Sequence, residues 1–307
     1  MNPWTQMWLN YFPRAAKGNE AYFEKYRLDG FEKEHCVIRS ALTELERGIR
    51  GMLVLPPPVH SSLAQAEKGT FVIRRISEAG SGVKTEGYHL KEQDGRLFLM
   101  AVEEKGVLSG VFDLLRRIAM EESLKGVDAL CNPDNPNRML NHWDNMDGSI
   151  ERGYSGESFF FAENEILVNE RTRDYARFVA SVGLNGVVIN NVNVKDAATY
   201  LITERYFDRV AELSNVFADY GIRLYLSLNF ASPMELGVKR RGHCMVERED
   251  EGGLCKNPES WRFPCKGRFG RKTRAFYLRK DAGRRSQYAC RYCEGIWRHH
   301  HLAVLCL

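Results

Sequence analysis

The sequence predicts an α/β chain in three parts: a small N-terminal α+β layer domain over 1–125, strand–helix units over 126–237, and an irregular tail over 238–307. Three observations lead there. The first part mixes a β-hairpin pattern with two amphipathic helical patterns, which suits one sheet layered with helices. The second part alternates near-continuous apolar strands with helical stretches at a spacing of about 35–45 residues, as in buried parallel sheets. The third part abruptly changes its charge and cysteine content.

In the first part, 20–55 holds apolar residues at three- or four-residue spacing (Ile38, Leu42, Leu45, Ile49, Leu53), which predicts a helix. The break 55-LPPPVH-60 follows, then the strand FVIRRI. Tyr88, Leu90, Leu97 and Leu99 alternate about a QDGR turn, the signature of a hairpin. Val107, Val111, Leu114, Leu115 and Ile118 share one face of a helix over about 106–120.

In the second part a short strand, RMLNHW, leads into a polar run. A helix is predicted at about 166–182, with Tyr175, Phe178, Val179 and Val182 on one side and Gly183 at its left-handed end. The strand 186-GVVIN-190 ends in NNVN; a helix over about 203–219 turns Phe207, Val210, Leu213, Val216 and Phe217 inward, and Gly221 stops it. The strand 222-IRLYLSLNF-230 closes the series. Polar residues gather at the C-terminal end of each strand. A (β/α)8 barrel places its active site there, and a doubly wound sheet shows the same pattern. No GxGxxG or GxxxxGK[ST] follows a strand, which weakens a nucleotide-binding reading.

The polar run 141-NHWDNMDGSIERGYSGES-158 has no apolar period. A tryptophan, several carboxylates, an arginine and amides suit a sugar. An indole stacks on a pyranose, amides and carboxylates bind hydroxyls, and a guanidinium grips a uronic acid carboxylate in bidentate fashion. A solvated loop beside a core tryptophan is the plainer alternative.

The stretches 138-RMLNHWDNMDGSIERGYSGES-158, 173-RDYARFVASVGLNGVVINNVNV-194 and 217-FADYGIRLYLSLNFASPMELG-237 closely resemble the family 67 glycoside hydrolases, the microbial α-glucuronidases. The segment 87–118 is similar to the end of that family's N-terminal domain. The resemblance covers almost all of 1–237. It implies an N-terminal α/β domain followed by a (β/α)8 TIM barrel, of which about three strands are present here. It also implies an inverting hydrolase, with no metal or other cofactor, that releases glucuronic acid or its 4-O-methyl form from xylan-derived aldouronic oligosaccharides. By motif position, Trp143 would wall the uronic acid pocket, Asp144, Glu151 and Arg152 would shape and bind it, and Asn191 and Asn229 would face the same mouth.

Inversion needs a protonated carboxyl on one side of the bond and a carboxylate that activates water on the other. The resemblance implies an acid in a KADSE motif after the fourth strand and base carboxylates later still. No KADSE occurs, and Glu235, the last carboxylate within the resemblance, is not that acid. The catalytic residues are therefore not assigned.

Residues 238–307 hold 17 Lys+Arg against 7 Asp+Glu, a balance of +10, whereas 1–237 hold 27 against 33, a balance of −6. Six of the eight cysteines lie in the tail; Cys36 and Cys131 are the others. A shifted reading frame accounts for this. Codons can be chosen for FPCKGRFGRKTRAFY (263–277) that read, one nucleotide later, as LVKADSEGRPGPFI. CRYCEGIWRHHHLAV (290–304) likewise permits ADTVKAYGGIIIWRC. The expectation is a frameshift near codon 238, an unclosed barrel and an inactive chain. The alternative is a non-catalytic carbohydrate-binding or scaffold remnant whose tail is a real module. In that reading Cys290, Cys293 and His299–His301 hold zinc, or the basic, aromatic tail binds nucleic acid. One CxxC beside a histidine run is a weak zinc signal, so neither metal nor nucleic acid is expected. With no apolar run of about 18 residues, no membrane partner is expected either. The N-terminus lacks a basic and then apolar leader, so a cytoplasmic location is expected.

Overall fold

The computed structural model describes residues 9–61, 67–194, 196–228, 246–248, 288–290 and 302–306. It is a mixed α/β chain that divides into two compact units. Unit 1 comprises 1–138, 173–185 and 218–222; unit 2 comprises 139–172, 186–217 and 223–307.

Unit 1 is built on a six-stranded sheet. Its strands are β1 (Lys25–Asp29), β2 (Val59–His60), β3 (Thr70–Arg75), β4 (Tyr88–Gln93), β5 (Arg96–Ala101) and β6 (Asp128–Cys131), in the order β2-β1-β3-β5-β4-β6. The β2-β1-β3-β5 half is parallel, and β4 runs antiparallel to both β5 and β6. The predicted hairpin is β4–β5. Asp94 and Gly95 at its turn have φ of 55° and 74°, the paired left-handed residues that a tight two-residue turn demands. Helix α1 (Cys36–Gly48) continues through a wider turn to Leu53, and α2 spans Glu104–Ala119. The predicted inward residues Val107, Val111, Leu114, Leu115 and Ile118 are all buried. The helical pattern expected over 20–55 proves to be mixed, because its first part is strand β1. KYRLD pairs with β3 through its backbone, and its alternate charged side chains carry no helical period.

Two glycines allow close packing in this unit. A Cβ on Gly48 would run into Leu115, and one on Gly110 would meet Leu99 Cδ1 and Tyr88. So α1 closes on α2 at Gly48, and α2 seats on the sheet at Gly110.

Helix α3 (Glu170–Ser181) contributes 173–181 to unit 1. Its Arg177 forms a buried two-point ion pair with Glu44 of α1, with Nε and Nη2 donating at 2.7 and 2.5 Å. Tyr11 Oη donates to the same carboxylate at 2.6 Å. Burial and the Glu44 charge push the Tyr11 phenol up. Burial opposes the Arg177 charge, yet the Glu44 hydrogen bonds carry its pKa up. Gly183, with φ of 80°, ends α3 in the predicted left-handed conformation. Val182, expected inward, is instead exposed, because the helix stops one residue before it. The carbonyl of Tyr220, just beyond α4 (Phe207–Ala218), accepts from the buried Lys105 Nζ at 3.0 Å. A lysine is favoured there by the negative end of the helix dipole.

Unit 2 holds a parallel sheet of β7 (Met139–Asp144), β10 (Gly186–Asn190), β11 (Arg223–Leu228) and β14 (Leu302–Cys306), ordered β14-β11-β10-β7. Every residue of β10 is buried, as its unbroken apolar run requires. A small hairpin, β8 (Phe161–Ala162) with β9 (Glu165–Ile166), is held by α4: Tyr206 Oη donates to Asn164 O and Arg209 Nη2 to Ile166 O, both at 2.9 Å. Phe160 packs between the rings of His142 and Phe217. Strands β12 (Val246–Arg248) and β13 (Tyr288–Cys290) pair antiparallel. Together with β14 these are the described residues of the tail, which was expected to be largely irregular; its remaining residues lie outside those described. LAVLC has no period of two, and neither has the fully buried β10.

Two outcomes follow for unit 1. Gly110→Ala should lower stability by about 1–2 kcal/mol in urea unfolding, because overpacking against buried Leu99 exceeds the gain in helix propensity. Arg177→Met should cost about 3–5 kcal/mol by leaving Glu44 buried without its main partner, and Glu44→Leu combined with Arg177→Met should recover much of that loss.

Candidate active site

The candidate site is assembled by the loop that leaves β7. Asp144, at the strand's C-terminal end, is 2% exposed. Its Oδ2 accepts from Ser158 Oγ at 2.6 Å and Phe159 N at 2.9 Å. Ser158 Oγ in turn accepts from Phe160 N and Phe161 N at 3.1 and 2.9 Å. One hydroxyl thus donates once and accepts twice, its full capacity. The loop closes on itself through bridges pairing Asp144 with Ile150 and Ser149 with Glu157.

The amides complete this frame. Asn191 follows β10; its backbone N donates to Asp144 O at 2.8 Å, and its Nδ2 donates to Asn145 Oδ1 at 3.0 Å and Glu151 O at 3.2 Å. Asn145 Nδ2 reaches Ser149 Oγ at 2.9 Å and Glu151 O at 3.0 Å. Glu151 has φ of 58°, a left-handed conformation seldom held by a non-glycine residue. That turn lets its carbonyl face both amides while its N–H donates to Trp143 O at 2.9 Å. Between β10 and β11, Asn190 Nδ2 donates to Ser227 O and Ser227 N to Asn190 Oδ1, at 3.0 and 2.8 Å, clamping the strand ends together.

A recess of about 120 Å3 opens beside this frame. Asp144 and Asn191 line it, together with Asn145, Asp147, Asn164 and Asn193. Of the residues singled out in the sequence, Asp144, Glu151 and Asn191 form one bonded network. Trp143 is half-exposed and does not line this recess. Arg152 is exposed, with Nε 3.9 Å from Glu151 Oε1. Asn229 lies outside the described residues. Asn145 and Asn193 were missed, although both sit in the polar runs that end β7 and β10, where position alone could have flagged them. Asn164 sits in the β8–β9 turn, and no pattern pointed to it.

His142 Nδ1 lies 3.8 Å from Asp144 Oδ1 and its ring meets Phe160 edge-on. Burial holds its pKa below the usual 6.5, while Asp144 pulls it back up. Among the described residues no group of three or more His, Cys, Asp or Glu is placed to hold a metal, and no helix is long and apolar enough to cross a membrane.

A parallel sheet with helices between its strands defines an α/β protein, a class in which ligands bind outside the carboxyl ends of the strands. Two sequence models identify it further: the N-terminus of glycosyl hydrolase family 67 matches 7–114, and the middle domain of the same family matches 117–245. The chain belongs to glycosyl hydrolase family 67. It is 35% identical over 242 residues to "Probable alpha-glucuronidase A" of Aspergillus terreus, covering 75% of this chain and 28% of that protein. The Aspergillus oryzae protein of the same name is 40% identical over 176 residues, covering 57% and 20%. "Alpha-glucuronidase A" of Emericella nidulans is 37% identical over 177 residues, covering 54% and 20%. The chain thus spans between a fifth and just over a quarter of the length of these relatives. A solved family GH115 4-O-methyl-alpha-glucuronidase aligns with a TM-score of 0.44 at 13% identity, over 66% of this chain and 28% of that one, a likeness too loose to carry weight.

The histidine gives a checkable consequence. NMR titration should place His142 below 6.5, and Asp144→Asn should lower it further by removing the favourable charge. Below pH 6.5 the unfolded chain binds the proton that the folded chain refuses, so stability falls with pH until the folded pKa is passed. His142→Gln should flatten that slope.

Proposed function

We propose that the chain is the N-terminal part of an α-glucuronidase that releases glucuronic acid, or its 4-O-methyl form, from xylan-derived oligosaccharides with inversion. The observation that carries this reading is the order of the two family matches, N-terminus then middle domain, running almost without a gap over 7–245. The parallel sheet β14-β11-β10-β7 supports a further step, that β7, β10 and β11 begin a (β/α)8 barrel. In that barrel Asp144, Glu151 and Asn191 form the floor of the uronic acid site, with Trp143 and Arg152 at its rim.

The chemistry needs two carboxyl groups on opposite sides of the scissile bond. Ser158 Oγ and Phe159 N hold the buried Asp144 through Oδ2, which supports a positioning rather than a catalytic part for it. Its work is to position the loop. The acid motif expected after the fourth strand is absent from 238–307, and the middle-domain match ends at 245. Both facts support a reading-frame slip near codon 238 and a chain without turnover.

The purified chain should release no glucuronic acid from aldouronic oligosaccharides; measurable release would refute the inactivity. The nucleotide sequence around codon 238 should show an open neighbouring frame that spells KADSE. Restoring that frame through the full gene should bring activity back, and Trp143→Ala in the restored enzyme should raise KM by about tenfold or more through lost stacking.

A further inference from the structure

The sheet of unit 1 buries Phe71, Ile73, Leu90, Leu97, Leu99 and Ala101 on the face where α2 lies. The opposite face carries the charged side chains, with Thr70 and Val72 buried among them, and the strand register orders it in rows. Lys25 on β1 pairs across with Thr70 on β3, and Arg96 on β5 pairs with Gln93 on β4. The next row runs Arg27, Val72, Phe98, Lys91 and Asp128; the last runs Asp29, Arg74, Met100, His89 and Leu130. At about 4.8 Å between strands, the cations from β1 to β4 span roughly 14 Å.

Positive charge exceeds negative on this face. Asp29 serves both Arg27 and Arg74, and Asp128 serves both His89 at 2.5 Å and Lys91 at 2.9 Å. Lys25 turns to Glu67 in the loop before β3. Arg74 lies over the Phe98 ring, 5.3 Å from its centroid. Arg96 Nε is buried without a hydrogen-bond partner, and so is Thr70 Oγ1 in the same row. Lys25, Arg74 and Lys91 remain substantially exposed, as do Leu130 and Val59 beside them.

We propose that this face is a docking surface for an acidic polysaccharide, a sugar chain carrying widely spaced carboxylates. The proposal deepens the functional reading above, since it gives the same substrate class a second holding place on unit 1. Arginine pairs with carboxylates in bidentate geometry. The exposed Leu130 and Val59 side chains offer apolar patches for the carbon faces of sugar rings, while the Phe98 ring holds the Arg74 guanidinium in place. Asp29 and Asp128 stand among the cations and accept hydroxyl hydrogen bonds. That mixture fits a polyhydroxylated chain of low charge density. It fits nucleic acid poorly, because a strand presents a phosphate about every 3.4 Å and the two carboxylates would repel them.

The test is native-gel retardation of the full 307-residue chain in glucuronoxylan, in carboxyl-reduced glucuronoxylan and in duplex DNA. Glucuronoxylan should retard the chain, and the carboxyl-reduced polymer should do so at least about tenfold more weakly. Arg27→Gln, Arg74→Gln and Arg96→Gln combined should weaken the interaction by a similar factor, with circular dichroism unchanged. Lys25→Gln with Lys91→Gln, at exposed positions that folding tolerates, should move it the same way. The basic tail is common to all these chains and cancels from the comparison. The same weakening should appear when the charge variants are made in a Trp143→Ala background, so that any contribution of the pocket cancels. Equal retardation of the parent and both charge variants overturns the docking surface, as does equal binding of the carboxyl-reduced polymer. A larger loss in the charge variants on DNA than on glucuronoxylan assigns the face to nucleic acid and also overturns it. Loss of binding in Trp143→Ala alone would leave the pocket standing and remove the surface. Loss in the charge variants alone supports the surface, whatever becomes of the pocket.

Discussion

The Asp144 carboxylate is the constraint on which the site in unit 2 depends. A buried charge must be met by donors or it is intolerably costly. Asp144 finds them in the far end of its own loop, Ser158 and Phe159, and so draws the polar run back to the strand it left. Once the loop is closed, Glu151 lies where its carbonyl can take the Asn145 and Asn191 amides. The left-handed backbone at Glu151 is strained for a residue with a Cβ, and two accepted hydrogen bonds hold it there. A run rich in glycines and acids would otherwise be a mobile loop; a single buried carboxylate gives it one shape.

Much of this was legible in the sequence, and the reasons differ by element. Strand β10 declared itself by five apolar-run residues ending in asparagine, and Gly183 and Gly221 marked the helix ends because only glycine takes a left-handed backbone freely. The hairpin β4–β5 was visible because Asp-Gly is the strongest short turn signal. Strand β1 was hidden because half of KYRLD is charged, and the pattern that explains those charges is a sheet face, not a helix stripe. Strands β8 and β9 are two residues each, below the length at which any period exists. At the site, the polarity of the run was plain, but which residues touch was not. Asn145 and Asp147 lie beside Asp144 in sequence, whereas Asn164 reaches the same recess only because α4 holds its hairpin.

Glu44 and Asp144, the buried carboxylates among the described residues, work differently. Glu44 is answered by a full opposite charge, and the Arg177 fork with the Tyr11 phenol joins α1, part of α3 and the N-terminal segment within unit 1. Such a pair gains little over a well-packed apolar cluster, since desolvation offsets most of the attraction, but it admits one arrangement only. Asp144 is answered by a hydroxyl and a backbone N–H, with His142 nearby, whose pKa burial lowers. The first fixes how helices meet. The second fixes the path of a loop and leaves the neighbouring amides to shape a recess.

Strand β14 shows how far sheet pairing can be taken as evidence of design. Leu302–Cys306 continues the parallel ladder of β11 over five residues, within a segment that otherwise departs in composition from everything before it. A parallel ladder is made by backbone groups, and any short apolar run satisfies it when both faces are covered. Specificity would have to come from side chains that fit only one neighbour, as Asn190 does by returning two hydrogen bonds to Ser227 across β10 and β11. The amide clamp therefore distinguishes a strand pair built for this sheet from one that the sheet merely accepts. By that standard β10 and β11 belong together through their side chains as well as their backbones.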